Sequence, residues 1–508
     1  MTVIMDRPGR TAPAPRVATT ALARVEARRL LHSPFYWGSA LLATALGVAW
    51  CWTRMPTWET LAENSGMSSL VLACGLLIAT QLATGRDRRA GAEESTRTMP
   101  AGPARRGVAM LVVIPIAAVS GALVYLAELL ILLPAWPVGE FDPWAPAVVL
   151  VIPSIGAVIG VLVGRVLHNA SAGPLTATAF CAVLIALLAL PNYPRNYASA
   201  LWPVPERSWE IGAPRPTGWH LIYLLGVLVA LAALIIWRAW PKASVTVLVG
   251  ALVCAGLSVE RQTAESPSVI SMELADRYTG PAVLSCQTHQ QVRYCALPHF
   301  EGWIEQWREA VEPVAAHLPA DAVRPVVRQF GNSYDLKPMT PGVPEIIISD
   351  SWGRVGGWAA DSRLRMSRDY VVASVDLYAD GLFLDGCDAT GQHRTVAGLW
   401  LLAQSLSGGA AQSLSGGAAQ SLSDGAAQVR SGELRLPRVR YGQAEQDAAA
   451  ALLDRPYDEV ADYLAEHWAD LLDPSSTALS GLGVTLDPPA LPAAESQGEQ
   501  RTEGGMCR

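Results

Sequence analysis

Long apolar runs separated by short polar segments fill the first half of the chain, and they stop near residue 260. A helix that crosses a bilayer needs about 20 mostly apolar residues, or as few as about 17. Runs of that kind lie at about 36–52, 67–84, 108–133, 146–164, 174–190, 219–237 and 243–259, the last being the weakest. The pattern predicts a polytopic α-helical membrane bundle of six to seven helices over 36–259, followed by a soluble α+β domain. Pro115 and Pro153 fall inside two runs and are expected to kink them. Gly156, Gly160 and Gly164 recur every fourth residue in the fourth run, a spacing that lets a neighbouring helix of this chain or of a second copy approach closely. Glu128 sits in the third run, about a turn and a half before Pro134, where a glutamate can reach the membrane interface. It is a candidate intramembrane polar site, because ionisable groups are costly there.

Beyond Glu260 charged residues mix with short alternating and amphipathic segments until about Pro474, a length that can bury its own core. Ala282–Leu297 reads as a hairpin turning near Gln290, which sets Cys286 opposite Cys295 and predicts a disulfide if the domain lies in an oxidising compartment. Trp303, Trp307, Val311, Val314 and Leu318 mark one buried helix face. Glu345–Ser349 and Tyr370–Leu377 suit strands, and Thr395–Leu406 and Asp458–Leu472 suit helices. Cys387 would be left with only Cys507 as a partner on this side, whereas Cys51, Cys74, Cys181 and Cys254 lie in or beside the apolar runs. Residues 475–508 are rich in Ser, Gly, Pro and Glu and are expected to be a disordered tail.

Composition agrees with a membrane protein: 508 residues, 51% hydrophobic, 16% charged and a mean hydropathy of +0.25 exclude an ordinary soluble protein. The first apolar run starts after about 35 residues and is followed by others, unlike a cleaved secretory signal. Basic residues flanking membrane helices are retained in the cytoplasm. With an inside N-terminus that side collects Arg7, Arg10, Arg16, Arg24, Arg28, Arg29, the six arginines of the first loop, Arg165, Arg238 and Lys242. The outer short loops hold Arg54, Arg195, Arg207 and Arg215. Fifteen against four predicts a cytoplasmic N-terminus and, with seven spans, a domain outside the cell membrane. Tyr193, Tyr197, Trp202, Trp209 and Trp219 gather round the third outer loop, as interfacial aromatics do. The net charge of −7 gives no sign of a nucleic-acid partner.

The most function-specific segment is Gly85–Gly107, GRDRRAGAEESTRTMPAGPARRG. Its order of arginines, glycine, paired acids, prolines and arginines resembles the first cytoplasmic loop of ABC-2 type exporter permeases, and the likeness covers roughly the first half of the chain. The matching positions are Arg86, Arg88, Arg89, Gly91, Glu93, Glu94, Pro100, Pro103, Arg105 and Arg106. The resemblance implies that this loop receives the motion of a separate ABC ATPase subunit, which binds ATP and Mg, while this chain holds no cofactor and pairs with a second permease copy. Val17–Ser33 is similar to the interfacial connecting helix that such permeases place before the first span. The family usually has six spans; a seventh here, displaying a large outer domain, leaves room for a membrane-anchored binding or assembly protein without transport.

Three enzyme readings fail on the residues. Residues 403–426 hold three octads, AQSLSGGA, AQSLSGGA and AQSLSDGA, and Leu406–Gly409 spells the start of an ATPase signature. No GxxxxGK[ST] accompanies it, and neither lysine, Lys242 nor Lys337, follows a glycine. The octads therefore read as a tandem duplication. HExxH and GxSxG are also missing, so His393 and His467 read as solvated residues rather than zinc ligands, and the chain is not expected to be an enzyme.

Overall fold

The computed structural model describes residues 15–53, 56–92, 103–167, 169–188, 200–205, 216–265, 280, 282–329, 339, 342–348, 356–377, 387–407, 425–487 and 507. The chain divides into two units, residues 1–52 with 56–271 and residues 53–55 with 272–508. The first unit contains α1 (Pro15–Leu31), α2 (Pro34–Thr53), α3 (Trp58–Arg89), α4 (Pro103–Met110), α5 (Val113–Leu132), α6 (Ala145–Val166), α7 (Ala172–Leu188), α8 (Thr217–Ile236) and α9 (Pro241–Glu265). Six helices among the described residues are long and apolar enough to cross a membrane: α2, α3, α4 with α5 as one path over Arg105–Ala135, α6, α8 and α9. The weakest apolar run, 243–259, lies within the 25 residues of α9. The run at 174–190 is the one that falls short, since α7 has 17 residues. At about 1.5 Å per residue that is about 26 Å, against a hydrocarbon core of about 30 Å.

Proline accounts for the break between α4 and α5. Pro115 has no N–H for the Leu111 carbonyl and its ring crowds that group, so the turn before it tightens. The amides of Leu111, Val112 and Ile114 bond three residues back, to Val108, Ala109 and Leu111. Pro153, by contrast, is carried inside α6 without ending it.

The seam between α3 and α6 is a close one. Gly156, Gly160 and Gly164 face Ala73, Leu77 and Gln81, two rows with the same four-residue step. A Cβ on Gly156 or Gly160 would overlap the backbone of Ala73 or Leu77, and one on Gly164 would stand 2.7 Å from the Gln81 carbonyl oxygen. The repeat thus serves a helix of this same chain. Thr80 Oγ1 donates across the seam to the Ala157 carbonyl at 2.9 Å, and Leu72, Leu76, Val148, Ile152, Val158 and Val161 are buried around it. On the outer wall Val119, Leu123, Leu126 and Leu130 form an exposed apolar row on α5. Such a row suits hydrocarbon, and lipid is its natural neighbour.

In the second unit the strands β1 (Ser285–His289), β2 (Val292–Ala296), β3 (Val326–Gln329) and β4 (Glu345–Ile348) make one sheet in that order. β1 and β2 are antiparallel with Cys286 opposite Cys295, and those two cysteines are disulfide-bonded. Gln290 and Gln291 both take positive φ (45° and 66°), the backbone of a two-residue type I′ turn. β2, β3 and β4 run parallel, with α10 (Ile304–Ala315) between β2 and β3 in sequence. The arrangement is α/β in kind at this point, rather than segregated strands and helices. Trp303, Trp307, Val311, Val314 and Leu318 are all buried, as their spacing predicts.

Two expectations for this unit are corrected. Tyr370–Leu377 is not a strand: it holds the last turns of α11 (Gly356–Ser374) and the residues that follow. Met366, Tyr370, Val371 and Ala373 are buried along one helical face, and the Ser367 hydroxyl donates to the Ala310 carbonyl at 2.7 Å, so packing on α10 outweighs the β propensity of the valines. Nor is the chain from Ser475 wholly a tail. Leu479, Leu482 and Val484 are buried around a 3-10 turn at Ala478–Leu482. Cys507 is bonded to Cys387 and its N–H donates to the Asp388 carbonyl at 3.0 Å. Sparse apolar residues suffice here because each is anchored. The remaining elements are β5 (Cys387–Asp388), parallel to β6 (Val439–Arg440), and helices α12 (His393–Ser407), α13 (Gly425–Ser431), α14 (Gln443–Leu453) and α15 (Tyr457–Leu471).

Overfilling a packed interface costs about 1–3 kcal/mol, and more where backbone blocks the new atoms. Gly160→Leu is therefore expected to lower the midpoint for loss of the monodisperse peak when the detergent-solubilised protein is heated. Gly250→Leu, on α9 where a Cβ meets nothing within 4 Å, should leave it unchanged.

Candidate functional site

Helix α3 is 32 residues long, or about 48 Å, and so outruns the hydrocarbon core. Its last turn carries Arg86, Arg88 and Arg89, which the sequence pattern had assigned to a loop. Nothing before Ala90 breaks the helix, and three cations suit the negative end of its dipole. Gly91, at φ 65°, ends it, with the Gly91 and Ala92 amides bonding back to the Arg88 and Asp87 carbonyls. Glu93, Glu94 and Pro100 lie outside the described residues. Pro103 opens α4, a first-turn position that needs no N–H, and Arg105 and Arg106 follow on the same helix.

The ion pairs at this end join three helices. Glu26 on α1 is only 6% exposed and accepts from Arg86 Nη2 at 2.5 Å, with Arg29 Nη1 at 3.5 Å. Arg86 Nε also donates to Asp87 at 3.1 Å, and Arg106 Nη1 lies 3.6 Å from the other Asp87 oxygen. A continuous path therefore runs from α1 through the end of α3 to α4. Arginines then cap neighbouring helices: Arg88 Nη1 donates to the Arg165 carbonyl at 3.1 Å, and Arg165 Nη1 donates to the Ile235 carbonyl. Exposed ion pairs are worth about 0–1 kcal/mol each. The Glu26 pair differs because removing Arg86 leaves a buried carboxylate short of a partner. The sequence pattern gives Glu26 and Asp87 no partner, yet Glu26 is the one acid in a helix holding Arg16, Arg24, Arg28 and Arg29.

No family model, curated protein or solved structure matches this chain. Its chemistry is read from its own geometry.

Glu128 is fully buried on α5, turned toward α2 and α3. Its Oε2 accepts from Ser65 Oγ at 2.6 Å, and Gly47 leaves the space its carboxyl occupies.

In the second unit, no group of three or more His, Cys, Asp or Glu side chains among the described residues is arranged to hold a metal ion. His393 is not solvated: it is buried, and its Nδ1 accepts the Leu479 N–H at 2.9 Å. His467 bonds the Tyr463 carbonyl at 3.0 Å and stacks on the Tyr463 ring. The two LSGG stretches run into residues outside the described set, between α12 and α13. A buried arginine, Arg394, organises the C-terminal anchor. Its Nη2 and Gln392 Nε2 both donate to the Cys507 carbonyl, at 2.8 and 3.2 Å, while Nη1 donates to the Asp376 carbonyl at 2.8 Å. Asp376 is held above the usual carboxylate range by burial, partly offset by Arg394.

Burial pushes the His393 imidazole below its ordinary value of 6.5. The unfolded chain therefore takes up this proton more readily than the folded one. The neutral ring's contribution is complete above the ordinary value and is lost as pH falls below it toward the lowered folded value. Hydrogen-exchange protection of the Leu479 amide should accordingly fall on acidification from neutral pH. His393→Asn, which keeps an acceptor and removes the titration, should flatten that dependence.

Proposed function

We propose that the chain is the permease subunit of an ABC exporter of the ABC-2 type, moving a substrate across the cytoplasmic membrane with a separately encoded ATPase that binds ATP and Mg. One observation carries the reading: the Glu26–Arg86 pair ties the helix before the first span to the end of α3. These are the two segments that the family resemblance makes the receivers of ATPase motion. A push on α1 or α4 passes through Arg86, Asp87 and Arg106 to α3, whose close seam with α6 transmits it along the bundle. Glu93 and Glu94, by the same resemblance, meet the ATPase directly.

The proposed sidedness puts the arginine-rich end in the cytoplasm and the second unit outside. Cysteine chemistry supports it: Cys51, Cys74, Cys181 and Cys254 of the first unit form no disulfide, whereas Cys286–Cys295 and Cys387–Cys507 of the second are disulfide-bonded. Disulfides persist in oxidising compartments. Opposite sides for the N-terminus and the second unit require an odd number of crossings, so α7 crosses as well, at the lower limit of length. The two disulfides also favour a second reading, in which an outer binding or assembly domain is the working part and the helices are its anchor.

A mild-detergent pull-down of the tagged chain from its native host, read by mass spectrometry, separates the two. The permease reading expects an ATPase with a phosphate loop. It expects Glu26→Ala and Arg86→Ala each to lower ATPase recovery severalfold, and the double substitution to cost no more than either alone. Recovery of outer-face proteins without an ATPase would favour the anchor.

A further inference from the structure

Among the described residues, Glu128 is a carboxyl group with no cation to face. Neither α2 nor α5 contains an arginine, lysine or histidine, and α6, which packs on α5, has only Arg165 at its far end. The basic residues of α3 begin at Arg86, more than five turns beyond Ser65. Among the described residues, the titratable groups near Glu128 are Cys51 from α2, at 3.9 Å from Oε2, and Tyr125, one turn earlier on α5; α3 contributes Asn64, Ser65 and Ser68.

Donors gather on one oxygen. Ser65 Oγ at 2.6 Å and Cys51 Sγ at 3.9 Å both donate to Oε2, whereas the Ser68 hydroxyl is directed to the Asn64 carbonyl at 2.9 Å and the Asn64 amide to Cys51 Sγ at 3.7 Å. Oε1 receives no donor. As a carboxylate, Glu128 would be an unpaired charge among membrane helices, a costly state. As an acid it completes the network. Oε1 and Ser68 Oγ both crowd the space above Gly47, and Ser68 Oγ, whose own hydrogen is used elsewhere, has lone pairs to accept one. The chain then reads Ser65 to Oε2, and Oε1–H to Ser68 to the Asn64 carbonyl, with every oxygen served.

The group also lies toward one end of its helix. α5 ends at Leu132, one turn after Glu128, and α2 ends at Thr53, two residues after Cys51. A single apolar layer, Cys51, Leu61 and Leu132, closes that end. We propose that Glu128 is a proton-binding site where α2, α3 and α5 meet, and that loss of its proton loosens the junction. In the step, the carboxylic O–H bond breaks and the proton passes to a water molecule admitted through the apolar layer. The carboxylate left behind is hydrated, which separates the helices. The proposal rests on the helices lying in a membrane and not on the ATPase partner, so a failed pull-down would leave it standing.

Cys51 is a built-in reporter, buried against Glu128. Full-length protein in membranes is treated with N-ethylmaleimide over a series from mildly acid to mildly alkaline pH. The labelling rate of Cys51 is divided by that of glutathione under the same conditions to remove the common rise in thiolate. The ratio should climb severalfold with pH in the native protein and stay flat in Glu128→Gln, which keeps an acceptor for Ser65 and a donor for Ser68. A flat native ratio, or an equal climb in both proteins, would overturn the proposal. A second measurement needs no variant: dicyclohexylcarbodiimide, which attacks protonated carboxyls in apolar sites, should modify Glu128 more at acid pH and equally with or without sodium chloride. Protection by sodium would make the site a metal-cation site instead, and no modification would remove the proton.

Discussion

The membrane unit depends on how near α3 can come to α6. Three glycines four residues apart remove the side chains that would hold the two backbones apart, and the facing row on α3 advances by the same step. Membrane helices gain little from apolar burial against one another, because lipid is as apolar as leucine; close packing and interhelical hydrogen bonds must do the work. The Thr80 bond to the Ala157 carbonyl supplies one of those bonds in the middle of the seam. Since α3 also carries Ser65 and Ser68 toward one end and Arg86 to Arg89 at the other, fixing this helix fixes both polar regions of the unit.

Those regions solve opposite electrostatic problems. At the arginine end, charge is plentiful and helix termini offer carbonyls and carboxylates, so cations are shared among Glu26, Asp87 and the Arg165 and Ile235 carbonyls. Near Glu128 charge is isolated, and the surroundings are hydroxyls, a thiol and a glycine. One rigid helix linking a charged surface to an isolated carboxyl provides a mechanical route between them. The proposed permease uses that route from the arginine end.

Much of this was legible in the sequence because the signals were periodic. Apolar length located six membrane-length helices, alternation and the turn located the Cys286–Cys295 hairpin, and the spacing of Trp303, Trp307, Val311 and Val314 gave a buried face. What was missed depended on partners distant in the chain. The burial of Glu128 could not be read from its own helix, because the space and the donor that hold its carboxyl come from Gly47 and Ser65 on other helices. Tyr370 to Leu377 looked like a strand by propensity, until α10 offered that face a surface. Leu479, Leu482 and Val484 were too sparse to suggest a core, and only His393, Arg394 and the Cys387–Cys507 bond, all remote in sequence, show why that segment is held. Arginines read as loop residues turned out to finish a helix, since their charge suits its end as well as it suits solvent.

The central claim is that the arginine-bound end faces the cytoplasm while the disulfide-bonded unit faces an oxidising exterior. Sided labelling with a membrane-impermeant maleimide tests it most directly, using Thr20→Cys on the exposed face of α1 and the native, partly exposed Cys286 after mild reduction of its bond to Cys295. The account predicts that position 20 reacts only in inverted vesicles and that Cys286 reacts in intact cells once reduced. Labelling of position 20 from outside, or of both positions from the same side, would contradict it.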